Sequence, residues 1–195
     1  MALVLNGSTD IITGLQINSA NIVNGSITAA DLATGVGGKV LQVKQAVKTN
    51  TASTNSSSFA DVSGLSVSIT PTSASNKILV SFNGYFSGFS NSFAGFNILR
   101  NSSAIGLGTG ASGNRTNVSM AIVNVNASSS AYGVVSANFE FLDDAQDTNA
   151  HTYKLQWAST FNSQYIYINR PQVDSENRAM EMFPSSSITV MEVVP

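Results

Sequence analysis

Val134-Val-Ser-Ala-Asn-Phe-Glu-Phe-Leu142 is the stretch that decides the fold. Val135, Ala137, Phe139 and Phe141 fall on every second position, with Ser136, Asn138 and Glu140 between them. Period two puts alternate side chains on opposite faces of an extended chain, so this segment reads as a strand with one buried face. The same alternation recurs on both sides. Upstream, Arg115–Asn126 carries Val118, Met120 and Ile122 at period two, and the apolar phase then moves by one to Val123 and Val125. Downstream, Thr152–Trp157, Tyr165–Asn169 and Ser187–Val194 read as strands.

Towards the N-terminus, Lys39–Lys48 reads as a strand followed by a Ser/Thr/Asn loop over Thr49–Ser58. Phe59–Thr70 places Leu65, Val67 and Ile69 on one face with Val62 out of phase, and the skip at Gly64 predicts a β-bulge. Pro71–Asn76 is a turn, because proline fixes φ while Ser and Asn bond nearby backbone. Lys77–Tyr85 and Phe96–Asn101 are strands separated by an expected loop over Ser87–Gly95, and the glycines of Ile105–Gly113 mark another loop. Only Asp174–Met182 competes as a helix. About nine strands without helical crossovers predict an all-β protein, an antiparallel β-sandwich of jelly-roll type, with a barrel as the nearer alternative.

Ahead of these strands the pattern changes. Ile17-Asn-Ser-Ala-Asn-Ile22 recurs ten residues later as Ile27-Thr-Ala-Ala-Asp-Leu32 and runs into Gly35-Val-Gly-Gly38. Single apolar residues spaced by small polar ones cannot bury a core within one chain. Residues 1–38 are therefore expected to form a stalk or docking segment, with Ile17, Ile22, Ile27 and Leu32 as its oligomerisation contacts, and residues 39–195 the jelly-roll domain.

Composition narrows the function. In 195 residues only 10% are charged, against about 25% in ordinary globular chains, and the nine Lys and Arg are spread singly from Lys39 to Arg178. With a net charge of −2 no basic stripe tracks a phosphate backbone, so nucleic acid is not an expected partner. There is no cysteine, which removes disulfides, thiolate metal sites and cysteine nucleophiles. The first residues lack a basic segment followed by a sustained apolar run, and no stretch reaches the ~18 apolar residues of a membrane span; synthesis in the cytoplasm without membrane insertion is expected. Asn-x-Ser/Thr sequons abound, as chance dictates in a chain this rich in Asn and Ser.

Catalytic patterns are weak. His151 is the sole histidine and sits in a polar loop with no Gly-x-Ser-x-Gly elbow, so no catalytic residue is assigned. Asp143, Asp144, Asp147 and Asn149 form one carboxylate cluster, but their spacing lacks the EF-hand pattern and its closing Glu; no metal or cofactor is expected. Gly106-Leu-Gly-Thr-Gly110 has no following Lys-Ser/Thr and reads as a loop. In and just before Tyr85–Phe96, Phe82, Phe86 and Phe96 are assigned to the core, while Phe89 and Phe93, nearer the expected loop tip, are candidates for ligand or subunit contact. Tyr165 and Tyr167, which share a strand face, join them.

Several blocks carry a family likeness: Ile27–Ala33, Gly37–Val43, Phe59–Pro71 with Ser73–Val80, and Ser186–Pro195. They resemble phage virion proteins, more narrowly the C-terminal regions of tail-fibre and fibre-like structural proteins of cyanophages and marine phages. The resemblance implies a non-enzymatic virion protein, a homotrimer with a jelly-roll head similar to C1q/TNF-like trimers, made in the host cytoplasm and incorporated in the particle. Its implied partners are other tail or capsid proteins and a host surface glycan. A short tail fibre with an N-terminal dock and a host-contacting head is the first expectation. A capsid decoration or cement protein is the second, a soluble carbohydrate-binding module the rival from another class, and a depolymerase the weakest.

Overall fold

The computed structural model describes residues 26, 39–89, 92–123, 132–159, 164–176, 178–179 and 181–195. Their strands are β1 (Val40–Lys48), β2 (Ala52–Thr54), β3 (Ala60–Ile69), β4 (Lys77–Gly88), β5 (Phe93–Arg100), β6 (Ser103–Ile105), β7 (Met120–Val123), β8 (Val135–Asp143), β9 (His151–Ser159), β10 (Ile166–Ile168) and β11 (Ser186–Val193). Every pairing is antiparallel.

Two sheets result. In the first, β4 is central: β8 lies along one edge, and β11 and then β10 lie end to end along the other, because Phe86 pairs with Val135 on one side and Ile168 on the other. β1 and β2 continue outward from β11 and β10. In the second, β5 has β9 on one edge and β7 and β6 on the other, and β3 pairs with β9. Leaving out the three-residue strands, the orders are β1-β11-β4-β8 and β3-β9-β5-β7. Counting the eight long strands along the chain, this is first-eighth-third-sixth over second-seventh-fourth-fifth, the strand order of a jelly roll. Lys39–Pro195 forms one compact unit. The stalk contacts Ile17, Ile22, Ile27 and Leu32 lie outside the described residues.

The core fills the space between the sheets. Val80, Phe82 and Phe86 of β4, Ile188 and Val190 of β11, and Ile166 and Ile168 of β10 face Leu65 and Val67 of β3, Phe96 and Ile98 of β5, and Tyr153, Leu155 and Trp157 of β9. Phe86 and Phe96 meet across the layers with ring centroids 4.4 Å apart. The bulge falls where the sequence placed it: the β3–β9 register slips between Asp61 and Ser66, and Gly64 sits at φ +88°, where side chains are strained. The slip lets both Val62 and Leu65 enter the core although their spacing is odd.

Elsewhere the structure corrects the sequence reading. β4 runs on to Gly88 and β5 starts at Phe93, so Ser87, Gly88 and Phe93–Gly95 of the expected loop Ser87–Gly95 lie in strands. Phe93 is therefore paired with Val123 inside the sheet and is not at a loop tip. β7 begins only at Met120, because Ser119 is pulled out of pattern: its hydroxyl donates to Ile105 O (2.7 Å) and accepts from Ile98 N (3.0 Å). The expected loop Thr49–Ser58 contains a short strand, β2, a second, β6, ends where the expected loop Ile105–Gly113 begins, and residues 174–176, 178–179 and 181–182 are not helical.

Glu192 of β11 is buried with no exposed surface and points inward between β1 and the β3–β4 turn. Its carboxylate accepts from Gln42 Nε2 (2.6 Å), Thr72 N (2.6 Å), Thr72 Oγ1 (2.7 Å) and Asn76 Nδ2 (2.6 Å). Burial pushes its pKa up, but these donors outweigh burial and hold it at about 2, below the ordinary 4.5. A depressed pKa contributes stability that is fully present above pH 4.5 and is lost as pH falls towards 2. Glu192→Gln leaves the inward site with one acceptor in place of two. The expected loss is on the order of 2 kcal/mol, a fall of about 4–8 °C in Tm at pH 7, with a shallower decline between pH 4.5 and 2 than the unmodified chain shows; calorimetry across that range checks both.

Candidate functional site

Three of the four candidate contact residues converge at one end of the first sheet. Ile166 and Ile168 are drawn into the core, so alternation turns Tyr165 and Tyr167 to the outer face. β10 pairs Tyr167 with Ser87 and Ile166 with Gly88, which brings Phe89, the next residue, beside them. The rings of Tyr165 and Tyr167 are nearly parallel (19°) with centroids 6.1 Å apart, and Phe89 lies 6.4 Å from Tyr167 at 45°. Phe89 is 37% exposed and Tyr165 44%. Phe93, on the second sheet, takes no part; it lines a separate cavity of about 270 Å³ with Gly95, Asn114 and Ala121.

A fourth side chain, which sequence reasoning did not single out, completes the cluster. The Arg170 guanidinium carbon stands 4.7 Å from the Tyr167 ring centroid, a cation–π contact. Its nitrogens also donate to Pro171 O (3.0 Å) and Gln172 O (3.1 Å) and pair with Asp174 (3.3 Å). The signal available was a cation between the Tyr/Ile alternation and Pro171, a place where the strand had to stop.

Asn169 sets the position of this arginine. It is fully buried in the left-handed region (φ +61°), which Asn tolerates better than most residues. Its side chain donates to Lys48 O (2.7 Å) and Asn50 O (3.1 Å) and accepts from Ser186 Oγ, while its own N–H donates to Tyr85 O (2.9 Å). Through its amide side chain and its N–H, Asn169 thus ties β10 to β4 and to the starts or ends of β1 and β11. Ser87 Oγ adds a bond to Arg170 O (2.7 Å).

Chemically this is a preorganised aromatic surface with a cation at its edge, suited to stacking against a flat apolar face and not to bond breaking. The residues weighed for catalysis or metal are elsewhere and engaged. His151 is buried, with Nε2 3.0 Å from Asp147 Oδ1 and Nδ1 3.3 Å from Asn101 Nδ2. The acidic cluster is pulled apart. Asp143 receives two bonds from Arg100 Nη1 (2.9 and 3.0 Å) and one from Tyr153 OH (2.7 Å), joining β8 to β5 and β9 across the sandwich. Asp144 pairs with Lys77, and Asp147 caps Asn149 N, which lowers its pKa. Burial and the Asp143 carboxylate push the Tyr153 phenol well above its usual range. Among the described residues no group of three or more His, Asp or Glu could hold a metal. No helix there is long and apolar enough to cross a membrane.

No family model matches the chain, and no curated protein does. Solved structures that match include that of infectious bursal disease virus, Gx strain, at 8% identity and a TM-score of 0.33 over 79% of this chain. This chain spans 37% of that one. The tripod from the baseplate of bacteriophage Tuc2009 matches at 11% identity and a TM-score of 0.23, over 99% of this chain and 84% of that one. Both superpositions are too loose to carry an argument about role.

Asn169→Ala removes three side-chain hydrogen bonds, one of them to the buried Lys48 carbonyl, an expected loss of about 3 kcal/mol. Arg170→Ala should cost less than about 1.5 kcal/mol yet change the Tyr165/Tyr167 near-UV circular dichroism, since the ring it covers is freed. Thermal melts with near-UV spectra separate the two effects.

Proposed function

We propose that this chain is a non-enzymatic structural protein of a phage virion, a short homotrimeric tail fibre. Residues 1–38 dock it to the particle, and Ile17, Ile22, Ile27 and Leu32 hold the copies together there. The jelly-roll head, residues 39–195, projects outward and contacts the host surface through the aromatic end of its first sheet. The observation that carries this reading is the jelly-roll strand order, β1-β11-β4-β8 over β3-β9-β5-β7, in a chain whose sequence blocks resemble fibre-like phage proteins. The cluster of Phe89, Tyr165, Tyr167 and Arg170 supports a contact role for the head, because exposed rigid rings give large contact area at small entropic cost.

A single such platform binds weakly. Three held in one assembly exceed its affinity by a factor on the order of 10² to 10⁴ when all engage together. A capsid decoration protein shares the assembly but not the host contact. A soluble carbohydrate-binding module is favoured specifically by the stacked tyrosines, and it differs in being monomeric.

Light scattering after size exclusion is expected to give three times the 20.3 kDa chain mass, and gold-labelled antibody is expected to mark tail tips on intact particles. Label on capsid faces would establish the decoration protein instead. A monomer at micromolar concentration that binds glycans on an array would establish the carbohydrate module.

A further inference from the structure

The outer face of the first sheet carries a second feature, at the opposite end of β4 from the aromatic cluster. Reading the register across the sheet, Val43 of β1 is level with Met191 of β11, Met191 with Leu79 of β4, and Leu79 with Leu142 of β8. These four side chains form one apolar row crossing all four strands on the face turned away from the core. The next row, Gln45, Thr189, Ser81 and Glu140, is polar, and so is the one after it apart from Val47. Beyond the apolar row, Val40 is level with Val193. Val43 and Leu142, the two ends of the row, are each 53% exposed.

We infer that this row is an interface between copies of the chain, closing them into a ring. Three observations favour a second copy over a different partner. The face is almost uncharged: Glu140 lies on the polar row, and Lys77, level with Val193, is paired with Asp144. A charged partner gains nothing there, whereas a copy of this chain brings the same neutral surface and buries no unpaired ion. The row also reaches both edges of the sheet, at β1 and at β8, and apolar ends on opposite edges suit a head-to-tail contact, the kind that forms a ring when the rotation between copies closes. Finally, β1 and β8 are the sheet's outermost long strands, and covering them removes edges that would otherwise pair indiscriminately.

This inference rests on the assembly proposed above and adds a second contact, in the head, to that of residues 1–38, both being needed to hold the copies together at micromolar concentration. The test uses the full chain. Val43→Lys with Leu142→Lys substitutes exposed positions, so the fold is retained by circular dichroism while the mass by light scattering falls threefold, to that of one chain. Leu107→Lys, exposed and not on this face, leaves the mass unchanged. A cysteine-free chain permits a second readout. In Val43→Cys with Leu142→Cys the two sites are three strand spacings apart, roughly 14 Å, too far for a disulfide within one chain. Oxidation is therefore expected to give covalent multimers on a denaturing gel. An unmodified chain that is oligomeric, keeps its mass with both lysines and forms no crosslinks overturns this interface and leaves the proposed function standing. A monomeric unmodified chain overturns both.

Discussion

The carboxylate of Glu192 is the constraint on which the first sheet depends. Four donors from β1 and the β3–β4 turn reach it in a site without exposed surface, so β11 cannot slide by one residue without expelling a charge from its partners or leaving the partners unpaired. Because strands alternate, fixing Glu192 inward fixes Val190 and Ile188 inward and Met191 and Val193 outward. The apolar row on the outer face is a consequence of that one decision.

Equivalent knots stand at the other strand ends. Ser186, at the start of β11, is held by Asn169, so β11 is pinned at both ends by buried polar groups with an apolar middle. Asn169 also stops β10 after Ile168 and thereby sets Tyr165 and Tyr167 facing outward. Asp143, at the end of β8, takes Arg100 and Tyr153 from the second sheet and closes the sandwich at that corner. In a chain with so few charges, the buried ionic and amide groups are spent on register and closure. Apolar packing alone specifies these less sharply, since a Val or Ile fits many neighbouring positions.

These knots are also what the sequence conceals. The alternation of Val135, Ala137, Phe139 and Phe141 is local, and so is the skip at Gly64; both were legible and both are in the fold. Glu192 is bonded to residues 116, 120 and 150 positions away, and nothing in Val190-Met191-Glu192-Val193 distinguishes it from a solvated carboxylate. Three-residue strands such as β2 and β6 are too short to show a period. Ser87–Gly95 read as loop, although strand pairing on both sides carries β4 and β5 through most of it, and this displaced Phe93. At the aromatic site, the shared face of Tyr165 and Tyr167 follows from spacing. The arrival of Phe89 and Arg170 follows from the β4–β10 pairing and the turn at Asn169, which are tertiary facts.

The two features of the outer face are compatible because of their separation along β4. Leu79 and Phe89 are ten residues apart, roughly 33 Å of extended chain, so a contact built on the apolar row leaves the aromatic end uncovered. Symmetry then adds a property that no single copy has. In a cyclic assembly equivalent points lie in one plane normal to the axis, so a ring joined through the row carries every copy of Phe89, Tyr165 and Tyr167 at the same height. A surface approached along the axis meets all of the platforms together, which is the geometry that avidity requires. A filament of the same copies would stagger them. In the proposed assembly it is the closure of the ring, more than the chemistry of any one aromatic residue, that would make weak stacking contacts add up to attachment.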